Sequence, residues 1–362
     1  MDTRIMPRSE AMRRLGFTFT GSGREYFGIW IVNLLLSIVT VGIYTAWAKV
    51  RRLRYFYGNT WLDGHNFEYH AQPTRILIGR IIVVGALVAY NLLITLSPFF
   101  AALIIPYLLA LPWLVNKSLA FNARMTSYRN VRFGFRGTYW GAFGVFVAMP
   151  FAALMTGGLL APVASHFSNN YLGRHTSYGT ARFATDAPIG ALYGNFGATI
   201  LFTIAAAALC GGAGFVIGGG IASFNTIGIT GADRDLAAML EAAPVFATVV
   251  GAYLALFLAY LFYAAGVRNI AFNATTLDGG HRLASSVGRL RYTWILVSNF
   301  FATIFTIGLL RPWAAVRTWR YLAASTAFDA AGPMDAFVDD AAPEGNVAAA
   351  EFFDIEGIDF GL

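Results

Sequence analysis

Two short stretches of this chain each bring tryptophan, arginine and tyrosine to one helical face. The first holds Trp47, Arg51, Arg54 and Tyr55, and the second holds Trp313, Arg317, Arg320 and Tyr321. In both stretches the four residues fall at i, i+4, i+7 and i+8, which is one side of a helix. A planar guanidinium group forks onto phosphate oxygens, so this spacing predicts a site for anionic lipid headgroups. The alternative interpretation is anchoring at the membrane interface, where tryptophan, tyrosine and arginine are common.

Two asparagines and a pair of glycines lie inside otherwise apolar stretches. An amide in lipid needs a partner, so Asn33 and Asn299 are expected to join helices, with contact to a substrate as the alternative. Gly214 and Gly218 form a Gly-x-x-x-Gly pattern, which predicts close packing of two membrane helices.

The residue types that carry catalysis or bind metals are poorly represented. His65, Glu68 and His70 cluster in the sequence, but an extended strand would point the two histidines to opposite faces. The chain has no nucleophile elbow, no Walker motif and no pair of carboxylates within its apolar stretches. The sequence therefore predicts no catalytic residue, no cofactor and no metal site.

The composition is that of a membrane protein. Only 12% of the 362 residues are charged and 57% are hydrophobic, whereas soluble domains carry roughly 25% charged residues. Seven apolar blocks are each long enough to cross a hydrocarbon core of ~30 Å as a helix. They are Tyr26–Trp47, Ile76–Leu96, Phe99–Leu119, Tyr139–Val163, Ala198–Ala222, Pro244–Gly266 and Tyr292–Trp313. The net charge of +7 indicates loops facing an anionic cytoplasmic leaflet, with membrane lipids rather than nucleic acid as partners.

Three segments of the chain resemble one another. The stretch Thr40–Tyr55 recurs as Thr306–Tyr321, and a degenerate copy at Thr156–Tyr171 keeps the threonine, glycine and tyrosine. In each copy an apolar helix leads to Thr-x-Gly, with short extended pieces on either side. Asp63-Gly64 and Asp278-Gly279 have the composition of hairpin turns. We therefore expect small β-hairpins that cap the membrane part.

The predicted fold is mainly α: a polytopic helical membrane protein with three internal repeats and two transmembrane helix pairs. The predicted organisation is a polar segment 1–16, a membrane domain 17–328 and an acidic mobile tail 329–362. The repeats cover about 17–70, 133–186 and 283–328, and the helix pairs cover about 76–119 and 198–266. The tail holds nine of the 19 acidic residues and no base, and such self-repulsion opposes compaction.

The distribution of arginine leaves two topologies open. If all seven blocks span, the cations divide almost evenly between the two sides, which is unusual. If the repeat helices bend at Thr-x-Gly and return, every basic loop except the one with Arg234 faces the cytoplasm. Such a bend must be buried in protein or water, because lipid cannot satisfy its backbone. Both arrangements can place the C-terminus in the cytoplasm.

The opening motif resembles that of a known family. Phe17-x-Phe19-x-Gly21, Tyr26-Phe27, Asn33, Thr40-x-Gly42-x-Tyr44-x-x-Trp47 and Arg54-Tyr55 are similar to the signature of YjgN-like bacterial inner-membrane proteins, a family of unknown function. The resemblance covers residues 17 to about 328. It implies a multi-pass location in the inner membrane and no established activity, so no catalytic residues carry over.

Three classes of function follow from these features. Internal repeats build many transporters, so one prediction is a transporter or channel for a small solute. The alternative is an envelope or scaffold protein that binds lipid headgroups through the Trp/Arg faces. A membrane enzyme is a further alternative, against which the lack of a recognisable catalytic site argues. The sequence specifies neither the ligand nor the oligomeric state.

Overall fold

A closed antiparallel sheet forms one end of the molecule. The computed structural model of the chain describes residues 12–226 and 234–342, which include eleven strands in one sheet. The strands are β1 (Arg13–Gly16), β2 (Thr18–Phe19), β3 (Thr60–Leu62), β4 (His65–Tyr69), β5 (Thr126–Tyr128), β6 (Val131–Phe135), β7 (Thr176–Tyr178), β8 (Ala181–Thr185), β9 (Thr275–Leu277), β10 (His281–Ser285) and β11 (Thr326–Ala330). Their order is β1-β11-β10-β9-β8-β7-β6-β5-β4-β3-β2. Because β1 and β2 are consecutive in the chain, residues 13–19 join the two ends and close the sheet.

In the described part of the chain, five helical hairpins leave this sheet and return to it. The helices are α1 (Gly23–Val39), α2 (Thr45–Gly58), α3 (Pro73–Leu96), α4 (Ile104–Arg124), α5 (Tyr139–Phe143), α6 (Met149–Met155), α7 (Ala161–His175), α8 (Ile189–Thr226), α9 (Arg234–Asn273), α10 (Arg289–Phe305), α11 (Arg311–Ala324) and α12 (Met334–Ala341). A 3₁₀ segment (Pro98–Leu103) precedes α4, and a π-helical turn (Gly144–Ala148) joins α5 to α6. The pairs are α1/α2, α3/α4, α5–α6/α7, α8/α9 and α10/α11. Each pair connects two neighbouring strands of the sheet.

Four helical segments in the described part of the chain are long and apolar enough to cross a membrane. They are Pro73–Leu96, Pro98–Arg124, Ile189–Gly220 and Glu241–Asn273. They form the two long hairpins, α3/α4 and α8/α9. The mainly helical architecture predicted from the sequence is thereby confirmed, with four candidate membrane spans in the described residues rather than seven.

The three remaining apolar blocks fold back on themselves. Each forms a short helical hairpin whose tip lies at residues 40–44, 156–160 or 306–310. Gly42 has a φ of +90°, and its N–H donates to the carbonyl of Ser37 at 2.7 Å. The Thr40 hydroxyl accepts from the N–H of Tyr44 at 3.0 Å. Thr-x-Gly therefore reverses the chain and satisfies the tip backbone within the hairpin, as an apolar environment requires.

The other two hairpin tips repeat this arrangement. The equivalent bonds are Gly158 N–H to Ala153 (2.7 Å), Leu160 N–H to the Thr156 hydroxyl (3.2 Å), Gly308 N–H to Thr303 (2.7 Å) and Leu310 N–H to the Thr306 hydroxyl (3.1 Å). The structure thus has the bent form of the two topologies considered from the sequence.

A threonine marks each point at which a helical hairpin re-enters the sheet. The Thr60 hydroxyl donates to the carbonyl of Phe56 at 2.7 Å, which satisfies an acceptor at the end of α2. The same bond is made by Thr126, Thr176, Thr275 and Thr326, at 2.9, 2.6, 2.7 and 2.7 Å. The described residues therefore contain five hairpin units. The internal sequence similarity reveals only three of them, because the other two hairpins are much longer.

The predicted β-hairpins are present, but they are not separate caps. Asp63 and Gly64 adopt φ values of +46° and +78° in the β3–β4 turn, and Gly279 adopts +85° in the β9–β10 turn. All hairpins then pair edge to edge, so they form one sheet. The predicted polar segment 1–16 is also corrected, since residues 13–16 form β1; residues 1–11 lie outside the described part.

Helix α12 covers one end of the sheet. Met334, Val338 and Ala341 are buried in the same core as the inner side chains of the strands. Arg129 forms an ion pair with Asp335 of the same helix. The prediction of a mobile tail from residue 329 is therefore wrong for residues 329–342, because its acidic residues conceal an apolar helical face. Residues 343–362 lie outside the described part.

Candidate functional site

The closed sheet encloses a cavity of about 390 Å³, which we call the sheet cavity. Inner side chains of neighbouring strands meet around it in a repeating pattern. The paired residues are Phe67–Tyr128, Phe133–Tyr178, Phe183–Leu277 and Leu283–Phe328, and Phe17 and Leu62 also line it. The rings of Phe67 and Tyr128 have centroids 4.8 Å apart, and those of Phe133 and Tyr178 are 5.1 Å apart. The wall of the cavity is therefore almost entirely carbon.

The tyrosine hydroxyls do not make this wall polar. The Tyr128 hydroxyl donates to the carbonyl of Leu62 at 2.8 Å, and that of Tyr178 donates to the carbonyl of Tyr128 at 2.9 Å. Burial raises the pKa of Tyr128 to about 12 and raises the pKa of Tyr178 as well. Both phenols stay neutral and bonded to backbone, so they present their rings to the cavity.

The two ends of the sheet cavity differ. Met334 and Phe337 of α12 line one end. At the other end the lining comes from the last turns of α9 and α11, including Phe272, Trp319 and Arg268. This second end faces the helical hairpins, and Arg268 is the charged residue that lines it.

Arg268 was not singled out by sequence reasoning. Its Nη1 donates to the Ser285 hydroxyl at 2.7 Å and its Nη2 donates to the Thr326 hydroxyl at 2.9 Å. Its guanidinium lies 4.1 Å from the ring centroid of Phe272. The signal in the sequence was a lone cation directly after the apolar block Pro244–Gly266.

The tyrosines of the predicted headgroup site have a structural role. The Tyr55 hydroxyl accepts from the Ser22 N–H at 2.7 Å and donates to the Ser22 carbonyl at 2.8 Å. The Tyr321 hydroxyl accepts from the Gly288 N–H at 2.8 Å in the same way. Ser22 and Gly288 precede the first helix of their hairpins, so each tyrosine fastens the second helix to the start of the first.

The four predicted arginines have different surroundings. Arg54 donates to the carbonyls of Tyr69 and Ala71 at 3.2 and 3.3 Å, and Arg320 donates to the carbonyl of Gly21 at 2.8 Å. These two join hairpins to strand ends.

The other two arginines lie against aromatic rings. Arg317 stacks 5.1 Å from the Trp313 ring, and Arg51 stacks 5.7 Å from Tyr44. Arg51 is exposed, and Trp47 lies beside the same tyrosine ring. The four arginines are therefore not gathered into one site.

The predicted intramembrane asparagines are both buried. Asn299 joins α10 to α11, because its Nδ2 donates to the Ala314 carbonyl at 3.1 Å and to the Thr318 hydroxyl at 2.9 Å. Its Oδ1 accepts from Arg317 at 3.1 Å. The equivalent Oδ1 of Asn33 has no hydrogen-bond partner among the described residues.

Comparison with known proteins agrees with this membrane architecture. Inner membrane protein YjgN of Salmonella typhimurium is 35% identical over 134 residues, which are 36% of this chain and 34% of that protein. Inner membrane protein YjgN of Escherichia coli K12 is 34% identical over 135 residues, which are 35% of this chain and 33% of that protein. The chain thus spans about a third of the length of these curated relatives.

No solved structure matches the chain. The model of one family, described as a bacterial protein of unknown function (DUF898), matches residues 14–355. This match includes all the strands from Arg14 onward, every described helix and the whole lining of the sheet cavity. The chain is a membrane protein that belongs to the DUF898 family.

Proposed function

We propose that this protein binds membrane lipid and takes the apolar part of the lipid into the sheet cavity. The observation that carries the proposal is the cavity wall itself, a closed ring of aromatic and aliphatic side chains. Its volume of about 390 Å³ lies within the range of roughly 300–1,000 Å³ that small-molecule sites occupy. An unfilled cavity of this size forgoes packing energy, whereas an apolar chain would restore it.

The surroundings of the cavity support a ligand from the bilayer. One end of the cavity is lined by residues of α9 and α11, on the side of the sheet from which the five described helical hairpins extend. The tips of the short hairpins are apolar and unpacked: Val41 is 93% exposed and Ile307 is 95% exposed. We infer that these tips enter the hydrocarbon, which places the hairpin-facing end of the cavity close to the lipid headgroups.

Transport of a small solute gains no support from the described residues. The sheet cavity lacks the polar lining expected for a water-filled path. Helix α12 also lies across the end of the cavity opposite the hairpins. A lipid-binding role fits both features.

For Arg51, the proposal also includes binding of an anionic lipid headgroup on the surface of the protein, outside the cavity. This side chain is exposed, and it lies less than two helical turns after the first hairpin tip. At that depth we expect it to contact headgroup phosphates. Arg51→Gln should reduce the co-purification of anionic phospholipid without lowering the melting temperature; unchanged lipid content would contradict this part of the proposal.

We also infer an inner-membrane location, with the sheet and the C-terminus in the cytoplasm. We infer the location because the relatives are named inner membrane proteins. We infer the orientation because arginine is in excess in the segments near the sheet. A periplasm-active reporter fused after residue 342 would be silent if this orientation is correct. Activity of that reporter would contradict it.

The lipid-binding proposal is tested by filling the cavity. Ala323 lines the sheet cavity, whereas the next residue, Ala324, is exposed. Native mass spectrometry of the purified protein should show bound lipid for the wild type and for Ala324→Phe. Ala323→Phe should lose it, and the smaller change Ala323→Val serves if the phenylalanine variant folds poorly. Equal lipid content in all variants would refute binding inside the cavity.

A further inference from the structure

The guanidinium of Arg268 lacks an anionic partner among the described residues. It lines the apolar sheet cavity and is partly buried. Its hydrogen bonds go to two neutral hydroxyls, those of Ser285 and Thr326. No carboxylate of the described residues forms an ion pair with it. By contrast, Arg129 at the opposite end of the cavity is paired with Asp335.

A charge that is even partly withdrawn from water is costly without a counter-ion, so proteins normally pair it. The guanidinium group has five N–H donors in a fixed planar fork, and the two hydroxyls leave several of these free. A carboxylate or a phosphate is the group that matches this fork. The missing anion can therefore come from a ligand.

The position of Arg268 is fixed by its surroundings. The Ser285 hydroxyl, which accepts from Arg268, itself donates to the Oδ1 of Asn269 at 2.8 Å. Asn269 is in turn held by the Val287 carbonyl, to which its Nδ2 donates at 2.8 Å. The ring of Phe272 supports the guanidinium from one side. Such a supported side chain is pre-organised for binding.

We propose that the sheet cavity binds a single-chain amphiphile with an anionic headgroup, and that Arg268 binds that headgroup. The inference rests on the proposed lipid-binding function and specifies its ligand. The alkyl chain would lie between the rings of Phe67, Phe133 and Phe183, and the carboxylate or phosphate would remain at the end lined by Arg268. One chain is expected rather than two, because the cavity volume is near the lower limit for small-molecule sites.

The test uses the full chain in nanodiscs of phosphatidylcholine and three probes with the same alkyl chain. Palmitate and hexadecyl phosphate carry anionic headgroups, and hexadecanol is neutral. The wild type should bind at least one anionic probe tenfold or more tightly than hexadecanol. Arg268→Gln should remove that difference while hexadecanol binds as before. The matched control is Arg282→Gln, which removes an exposed arginine on strand β10 and should leave the difference intact.

The outcomes separate the inference from the function on which it rests. Equal wild-type affinity for all three probes overturns the role of Arg268 but leaves lipid binding in the cavity standing. No binding of any probe overturns both. A tenfold preference that survives in Arg268→Gln also overturns the inference. If that variant folds poorly, Arg268→Lys keeps the charge but loses the fork, and it should bind the preferred anion more weakly than the wild type does. The anionic probe that binds more tightly indicates the natural ligand: tighter binding of palmitate indicates a free fatty acid, and tighter binding of hexadecyl phosphate indicates a phosphorylated lipid.

Discussion

The N–H of Thr180 donates to the carbonyl of Ala341 at 3.0 Å, which joins the turn between β7 and β8 to the last turn of α12. The approach is so close that a side chain on the neighbouring residue, Gly179, would lie 1.9 Å from the same carbonyl oxygen. Gly179 also has a φ of +57°. The contact between α12 and the β7–β8 turn therefore requires glycine at residue 179.

Removing α12 should destabilise the membrane domain. Burial of a side chain such as Met334 or Val338 contributes about 1.5–3 kcal/mol, so a chain ending at Pro333 should lose roughly 3 kcal/mol or more. A chain ending at Ala342 is the control, because it keeps the helix. Thermal unfolding in detergent measures the difference. Equal melting temperatures for the two truncations would show that α12 does not belong to the fold.

The stability of the end of the sheet that α12 covers should depend on the protonation of His281. This residue is 3% exposed, its Nδ1 accepts from the Ala331 N–H at 3.1 Å, and its ring centroid lies 4.2 Å from that of Phe337. Burial lowers the pKa of His281 below its ordinary value near 6.5. The folded state therefore takes up a proton less readily than the unfolded state. The stabilisation is complete above pH ~6.5 and is lost as the pH falls toward the lower pKa of the folded state.

Melting temperatures at pH 7.5 and 5.5 measure this effect of His281. The wild type should melt at a lower temperature at pH 5.5. His281→Gln cannot take up the proton, so its two melting temperatures should lie closer together. A wild-type shift that persists unchanged in His281→Gln would assign the pH dependence to other groups.

The hairpin tip should require glycine for its backbone conformation and not for space. A Cβ added at Gly42 or at Gly28 would meet nothing within 4 Å. Gly42 has a φ of +90°, whereas Gly28 lies within helix α1. Gly42→Ala should therefore lower stability by about 1–2 kcal/mol, while Gly28→Ala should raise it by roughly 0.5–1 kcal/mol. Unfolding in mixed micelles gives both values, and shifts in the same direction would exclude this explanation of the Thr-x-Gly motif.

The seam between α8 and α9 should not accept larger side chains. A Cβ at Gly214 would lie 2.3 Å from the carbonyl oxygen of Ala247, whereas one at Gly219 would meet nothing within 4 Å. Gly214→Ala should force the helices apart and cost about 1–3 kcal/mol, while Gly219→Ala should be nearly neutral or stabilising. Comparing the yield and the melting temperature of the two variants checks this. Similar behaviour of both would mean that α8 and α9 are not packed as described.

Local features of this fold could be predicted from the sequence. The bend at Thr40-x-Gly42, the turn at Asp63-Gly64 and the close packing at Gly214 each depend on a few adjacent residues with restricted conformations. Their physical causes are a positive φ or the absence of a Cβ, and both can be inferred from the residue type. The four long apolar segments were likewise evident from their length and composition.

The closed sheet and its cavity could not be predicted in this way. Strands of two to five residues carry too little alternation to give a pairing order, and partners such as β8 and β9 lie about 90 residues apart. The buried face of α12 was missed because three of its eight residues are aspartates. Arg268 looked like an ordinary cation beside a membrane helix, because its unpaired state appears only when the sheet surrounds it.

The closure of the sheet by residues 13–19 has a consequence for biosynthesis. Thr18 and Phe19 pair with β3, which the ribosome makes about 40 residues later, whereas Arg13 to Gly16 pair with β11, made more than 300 residues later. During translation β1 must therefore remain unpaired while all five helical hairpins of the described chain are made. The ring can close only when β11 emerges, and α12 follows it in the chain, so the cavity is completed late in synthesis, after all the helical hairpins have been made.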